Sequence, residues 1–343
     1  MGHEVVTLDP KRYEYSWGQH VLFIIQHAIG KYLLGHRHTQ ILEQWNHDRK
    51  TRLLGRNTFA FIDRYIQRKD IKNLVSEIKQ YDFDAFVVGS DQVWRPECFS
   101  HISNMFLDFT EGWNVKRIAY AASFGIDSWN ASKETTAYCK KLIRQFDFVS
   151  VREDSGVSIC NDTFGTKAIH VLDPSMLLMK EDYCSILELD KIAKSKGNLL
   201  VYILDYTDDK IELIKRISER YRLVPFRVNS DVENYQEKEL DKKIQPPVEQ
   251  WLRGFYDADY VITDSFHACA FSVIFDKPFV VYINEFRGAT RYRSLWNLLA
   301  LDKGMISKTD DFNGFCSLSQ FSKSRLMSLH TEALRLLQQT LEK

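Results

Sequence analysis

The stretch Tyr260-Val-Ile-Thr-Asp-Ser-Phe-His-Ala-Cys-Ala-Phe-Ser-Val-Ile-Phe275 carries the residues best suited to chemistry. A β-branched run delivers Thr263, Asp264 and Ser265 into a turn, and an apolar helix follows from about His267. The first N–H groups of such a helix lack intrahelical partners and carry partial positive charge, so they form an anion site. His267 adds a side chain that gains or loses a proton near neutral pH. A plainer reading has Asp264 or Ser265 capping the helix. Capping explains those two residues but gives no reason for a histidine at a strand's carboxyl end, and on the residues alone both readings stand.

Four further segments place polar groups at strand ends. In Val149-Ser-Val-Arg-Glu-Asp-Ser-Gly156, Arg152 closes a strand, where a guanidinium suits forked contacts with carboxylate or phosphate. The plain alternative pairs Arg152 with Glu153 or Asp154 at the surface, which is worth little. In Val87-Val-Gly-Ser-Asp-Gln-Val-Trp94, Asp91 and Gln92 offer donors and acceptors beside the Trp94 indole, the make-up of a sugar subsite. For Trp94 alone, packing in the core is the more economical reading. Ala121-Ala-Ser-Phe-Gly125 is a turn in which Ser123 and Gly125 could present backbone N–H groups. Arg287-Gly-Ala-Thr-Arg-Tyr-Arg293 is a basic run, read as a solvated loop unless a cleft closes over Arg287 and Arg291.

These segments need a scaffold that brings strand ends together. Short β-branched runs alternate with helical patterns along the chain, the mark of parallel sheets with crossover helices. Expected strands in the first half are Glu4–Leu8, Ala85–Val88, Arg117–Ala121, Phe148–Val151 and Ile169–Val171, with helices over Ile71–Lys79 and Lys133–Gln145. A second series starts near Gly197. Its expected strands are Asn198–Leu204, Leu223–Val228, Tyr260–Thr263 and Pro278–Ile283. Its expected helices are Asp208–Tyr221, Val248–Tyr256, Ala268–Phe275 and Ser324–Glu342. The pattern predicts two facing Rossmann-like domains, residues 1–185 and 186–343, with a cleft at the carboxyl ends of the strands.

At 343 residues the chain is long enough for two cores. A formal net charge of zero argues against a nucleic-acid binder, which needs a basic stripe. The six cysteines show no C-x-x-C pair or zinc spacing, so no metal site is expected and the thiols read as free in a reducing compartment. No run approaches the ~20 apolar residues of a membrane span, and the start lacks the form of a signal peptide. A cytoplasmic protein is expected.

In colinear order, DAFVVGSDQVW (84–94), YAASFG (120–125), VSVREDSG (149–156), VLDPSMLL (171–178), ADYVITDSFHACAF (258–271) and KPFVVY (277–282) resemble the polysaccharide pyruvyltransferase family. The resemblance implies a GT-B-like fold and transfer of a pyruvyl group from phosphoenolpyruvate, with no further cofactor. The acceptor would be a sugar of a surface polysaccharide or its lipid-linked oligosaccharide precursor, which implies peripheral contact with the inner membrane face. It implies catalytic roles for Arg152 and His267. Donor binding would involve Arg152, Ser265, His267, Ser123, Gly125, Arg287 and Arg291, and acceptor binding Asp91, Gln92 and Trp94, with the acceptor side in the first domain and the donor side in the second.

Many members carry arginine where this chain has Ser265, so Arg287 or Arg291 would supply the missing cation. Members also open with a βα unit before a strand resembling residues 1–8, so the first βα unit is expected to be missing. Two other functions fit the scaffold: a nucleotide-sugar glycosyltransferase, for which no acidic ribose clamp is evident, and a truncated, non-catalytic carbohydrate-binding homologue.

Overall fold

The computed structural model describes residues 2–10, 50–71, 74–187, 189, 191–230, 239–283 and 288–342. The chain forms two compact units, Gly2–Tyr81 with Asn229–Trp251, and Asp82–Val228 with Leu252–Lys343.

In the smaller unit, β1 (Thr7–Pro10) pairs in parallel with β2 (Arg68–Ile71). Helix α1 (Arg56–Tyr65) precedes β2, and α2 (Leu74–Ile78) follows it. The Asn57 amide donates to the Gln245 carbonyl at 2.7 Å, and the Gln245 N–H donates to the Leu54 carbonyl at 3.0 Å. These bonds join the unit's two chain segments. The helix expected over Ile71–Lys79 is corrected: Ile71 ends a strand, and among the described residues the α-helix covers Leu74–Ile78 and passes into a 3-10 turn at Lys79–Tyr81. Arg68-Lys69-Asp70 has no β-branched signature, and pairing with β1 overrides local preference.

Both larger sheets belong to the other unit. The first has the order β3-β4-β5-β6, all parallel, from β3 (Ala85–Val88), β4 (Lys116–Ala122), β5 (Phe148–Val151) and β6 (Ile169–His170). Helix α3 (Lys133–Ile143) connects β4 to β5 and buries Cys139, Leu142 and Ile143. Its start is fixed by Ser132, whose hydroxyl accepts from the Thr135 N–H at 3.1 Å. Helix α4 (Asp154–Ile159) follows β5, and α5 (Lys180–Ile186) closes the series.

The second sheet has the order β11-β10-β9-β7-β8, again all parallel. Its strands are β7 (Leu199–Tyr202), β8 (Pro225–Phe226), β9 (Tyr260–Thr263), β10 (Phe279–Tyr282) and β11 (Met305–Ile306). The helices are α6 (Asp208–Tyr221), α7 (Val248–Asp257), α8 (Phe266–Ile274) and α9 (Thr290–Leu299). The chain is thus an α/β protein with two Rossmann-like series, as the alternating pattern predicts.

Two helices differ from expectation. Residues 290–299 form α9 rather than a solvated loop, because Tyr292, Leu295, Trp296 and Leu299 recur at helical spacing and are buried. The last helix, α10 (Gln320–Glu342), follows the second sheet in sequence but lies on the first. Its Ala333 packs with Tyr120, Ala121 and Val171, and the Lys116 ammonium donates to the Leu341 carbonyl at 2.6 Å.

The turn after β9 is held by Asp264. Its carboxylate accepts from the Leu204 N–H (2.7 Å), the Asp205 N–H (3.1 Å) and Lys210 Nζ (2.7 Å). Its carbonyl accepts from the Tyr292 hydroxyl at 2.7 Å, which docks α9. Both charges of the Lys210–Asp264 pair are almost wholly out of water. Asp264→Ala strands a buried ammonium and is expected to cost roughly 3–5 kcal/mol. Denaturant unfolding measures this; a loss within ~0.5 kcal/mol, the range of ordinary surface changes, would mean that the pair does not hold the turn.

Candidate functional site

The site is built where the carboxyl ends of the two sheets meet within the larger unit. β4 is irregular near its end: Ala121 has φ 50°, and the register against β5 shifts between Ala119 and Ala122. Ser150 fills the irregularity, its hydroxyl donating to the Ala119 carbonyl and accepting from the Ala121 N–H, both at 3.0 Å. Bulges of this kind re-aim a strand's end, and here the chain turns into Ser123-Phe124-Gly125. Gly89, after β3, presses against the Tyr120 carbonyl at φ 139°, where a side chain would have no room.

Arg152 leaves β5 with its side chain only 1% exposed. Nη1 donates to Asp173 Oδ2 at 2.8 Å, and Nη2 donates to Asp91 Oδ1 at 3.1 Å. Asp173, itself 3% exposed in its side chain, is fixed through its other oxygen by the Ser175 N–H (3.0 Å) and hydroxyl (2.7 Å). Burial pushes the Asp173 carboxyl up, but the charge and hydrogen bond of Arg152 outweigh it and hold the group below the usual carboxylate range. Asp91 has the same balance and direction, yet its side chain is 65% exposed.

The second sheet supplies the opposite wall. Ser265 sits at the start of α8 without capping it, followed by Phe266 and His267. The Phe266 ring carries two guanidiniums, with Arg152 Cζ 4.7 Å and Arg291 Cζ 5.6 Å from its centroid. Arg291, buried in the first turn of α9, places Nη1 3.8 Å from Asp91 Oδ1. His267 lies within the field of Asp173, Arg152, Asp91 and Arg291. Burial lowers its pKa, and the two guanidiniums add to this against the pull of the two carboxylates. The ring is therefore neutral at pH 7.

Of the residues singled out in the sequence, Arg152, His267, Asp91 and Arg291 come together, with Ser265 two positions from the histidine. Others serve the fold. Trp94, expected beside a sugar, has no exposed surface: it stacks on Phe106, packs on Phe124, and donates its indole N–H to the Met105 carbonyl at 2.9 Å. Burying so large an aromatic surface outweighs any gain from leaving it open. The donors of Ser123 and Gly125, expected to meet the donor substrate, are taken up by the chain itself. The Ser123 hydroxyl (3.0 Å) and the Phe124 (2.6 Å) and Gly125 (3.0 Å) N–H groups all donate to Glu153 Oε1, while the Ser123 N–H donates to the Asp91 carbonyl. The carboxyl group in that turn is Glu153, wholly buried rather than paired at the surface, and burial pushes its pKa up against the pull of Arg152 and the turn's donors. Gln92 accepts from Arg95 at 2.6 Å and packs against Gly125. Arg287 lies outside the described residues.

Sequence reasoning missed Asp173, Phe266 and the role of Glu153. Asp173-Pro174-Ser175 was legible as a turn, and an aspartate before Pro-Ser is also a capping signature that predicts a fixed carboxylate. Among the described residues no group of three or more His, Cys, Asp or Glu side chains could hold a metal ion, and no helix is long and apolar enough to cross a membrane.

The family model for polysaccharide pyruvyl transferase matches residues 26–285, which span the turns carrying Asp91, Arg152, Asp173 and His267. The chain belongs to the polysaccharide pyruvyl transferase family. No curated protein matches the sequence. Among solved structures, Anabaena Alr3699/HepE in complex with UDP and glucose shares 10% identity, with TM-score 0.41, over 98% of this chain and 95% of that one. The H444N variant of the wall teichoic acid polymerase TagF shares 12% identity, with TM-score 0.38, over 80% of this chain and 79% of that one. Arabidopsis thaliana UGT89C1 shares 8%, with TM-score 0.35, over 68% and 65%. At such identities and scores none of these bears on activity or substrate.

For this family member, the neutral His267 carries a pH signature. Its folded pKa lies below the ordinary 6.5, so the unfolded chain takes the proton first as pH falls. The histidine's contribution to stability is complete above pH ~6.5 and lost as pH drops through the lowered value. Comparing wild type with His267→Gln between pH 7.5 and 5 should show the wild type losing stability faster. Parallel curves would contradict a neutral ring.

Proposed function

We propose that this transferase moves the pyruvyl group of phosphoenolpyruvate onto a sugar of a surface polysaccharide or its lipid-linked precursor, forming a pyruvate ketal. The observation that carries the reading is the grouping of Arg152, Arg291 and the uncapped start of α8 around His267. Two guanidiniums and a helix start suit a small, multiply charged anion.

The reaction asks for a proton on carbon 3 of the enol phosphate, attack of a sugar hydroxyl on carbon 2, and departure of phosphate by cleavage of the carbon 2–oxygen bond. A second hydroxyl completes the ketal; of the two hydroxyl protons released, one is matched by the proton taken up at carbon 3 and the other leaves with the phosphate. Arg152 and Arg291 would hold the donor's phosphate and carboxylate. His267, neutral in the free protein, would be drawn toward protonation by the donor's negative charge and act as general acid or base. Asp91, on the first sheet's side, would face the acceptor. The reading implies a cytoplasmic reaction, close to the inner membrane face where the acceptor is lipid-linked.

Phosphoenolpyruvate at ~100 times its dissociation constant should add about 2.7 kcal/mol of stability, seen as a rise in Tm. A rise with a sugar nucleotide and none with phosphoenolpyruvate would favour the glycosyltransferase reading instead. His267→Ala should fold normally and lower kcat by roughly 10²–10⁴-fold. Arg152→Lys, which keeps the charge but not the fork, should raise KM for the donor. Unchanged kinetics in both variants, with product followed by phosphate release and ketal NMR signals, would remove the assignment.

A further inference from the structure

We propose that Asp91 is a displaceable anion that occupies the Arg152–Arg291 site in the free protein and is exchanged for the donor's phosphate or carboxylate. The inference rests on the reading above only for the identity of the anion.

The two aspartates on Arg152 are held differently. Asp173 is out of water, and both of its oxygens are engaged, by Arg152 on one side and by the Ser175 N–H and hydroxyl on the other. Asp91 is 65% exposed, and its side chain has a single hydrogen bond among the described residues, from Arg152 Nη2 to Oδ1. That same oxygen lies 3.8 Å from Arg291 Nη1. The Asp91 backbone is pinned independently, its carbonyl accepting from the Val93 N–H (2.8 Å) and Ser123 N–H (3.0 Å). The carboxylate can thus turn away while the loop stays in place.

The guanidinium it would leave has an unmet donor. Arg152 Nε is buried and has no hydrogen-bond partner among the described residues. A buried donor without an acceptor is unfavourable, and the one Asp91 oxygen on Nη2 does not also serve Nε. A phosphate brings three acceptor oxygens and about two charges. Exchange therefore replaces one weakly held oxygen with several, at the cost of releasing Asp91 into water, where it is already largely exposed. It also sets an order. Asp91 is free to receive an acceptor hydroxyl only after the donor anion has taken its place.

Isothermal titration with inorganic phosphate, at fixed ionic strength, tests the exchange without turnover. Asp91→Asn keeps the shape but weakens the competing contact, so phosphate should bind roughly tenfold tighter than to wild type, the difference expected when a hydrogen bond loses its charge. Tm confirms that the variant is folded, and Asp91→Ala provides a second substitution that should shift affinity the same way. Equal or weaker phosphate binding in both variants, or no phosphate binding by any form, overturns the proposal. Tighter phosphate binding in a protein that does not turn over phosphoenolpyruvate would uphold the exchange while removing the donor assignment.

Discussion

A guanidinium taken out of water has to be surrounded by acceptors, and the site is organised around how Arg152 meets that demand. Its charge is balanced on one side by Asp173, itself buried and fixed by Ser175, and on the other by the exposed Asp91. Removing either the arginine or Asp173 would leave an uncompensated buried charge, a loss on the scale of 3–5 kcal/mol. The arrangement spans two strand ends of one sheet, β5 for Arg152 and β6 for Asp173, and reaches the turn after β3 for Asp91. Its geometry therefore depends on the register of the whole first sheet. Glu153, the next residue, fastens the remaining strand end by binding the turn at Ser123–Gly125.

The second sheet is fastened by the same kind of device. The Asp264 carboxylate locks the turn after β7 and a buried lysine, while its carbonyl docks α9 through Tyr292. That docking brings Arg291 over the Phe266 ring beside Arg152. Two cations on one aromatic face repel each other, and the carboxyl groups of Asp91 and Glu153 both lie within reach of the two charges, Asp91 by direct contact. The His267 pKa reflects the sum of these charges and of burial, so the histidine is neutral in the free protein and responsive to any anion added near it.

Much of this was legible because strand ends in open parallel sheets collect ligand groups, and Arg152, Asp91 and His267 each follow a β-branched run. The alternation that gave the two sheets was also plain, from Ala85–Val88 to Tyr260–Thr263. What the sequence concealed was partnership across long separations. Asp173 looked like half of an Asp-Pro turn, since nothing local announces an arginine 21 residues earlier as its partner. Glu153 looked like a surface charge, although its carboxyl group is buried and enclosed by the Ser123 turn. Trp94, next to Asp91 and Gln92, had the surroundings of a sugar platform, but three more aromatic rings from distant positions claim it for the core. Arg291 was singled out, but its basic neighbours masked the helical spacing of Tyr292, Leu295, Trp296 and Leu299 that places it.

A crystal structure of the protein soaked with phosphoenolpyruvate tests the central claim most directly. The account predicts that the ligand's anionic groups lie on Arg152 Nη2 and Nε and on Arg291, beside His267, with Asp173 unmoved and the Asp91 carboxylate turned away. Ligand bound elsewhere on the chain, or Asp91 still bonded to Arg152 with ligand present, would contradict it.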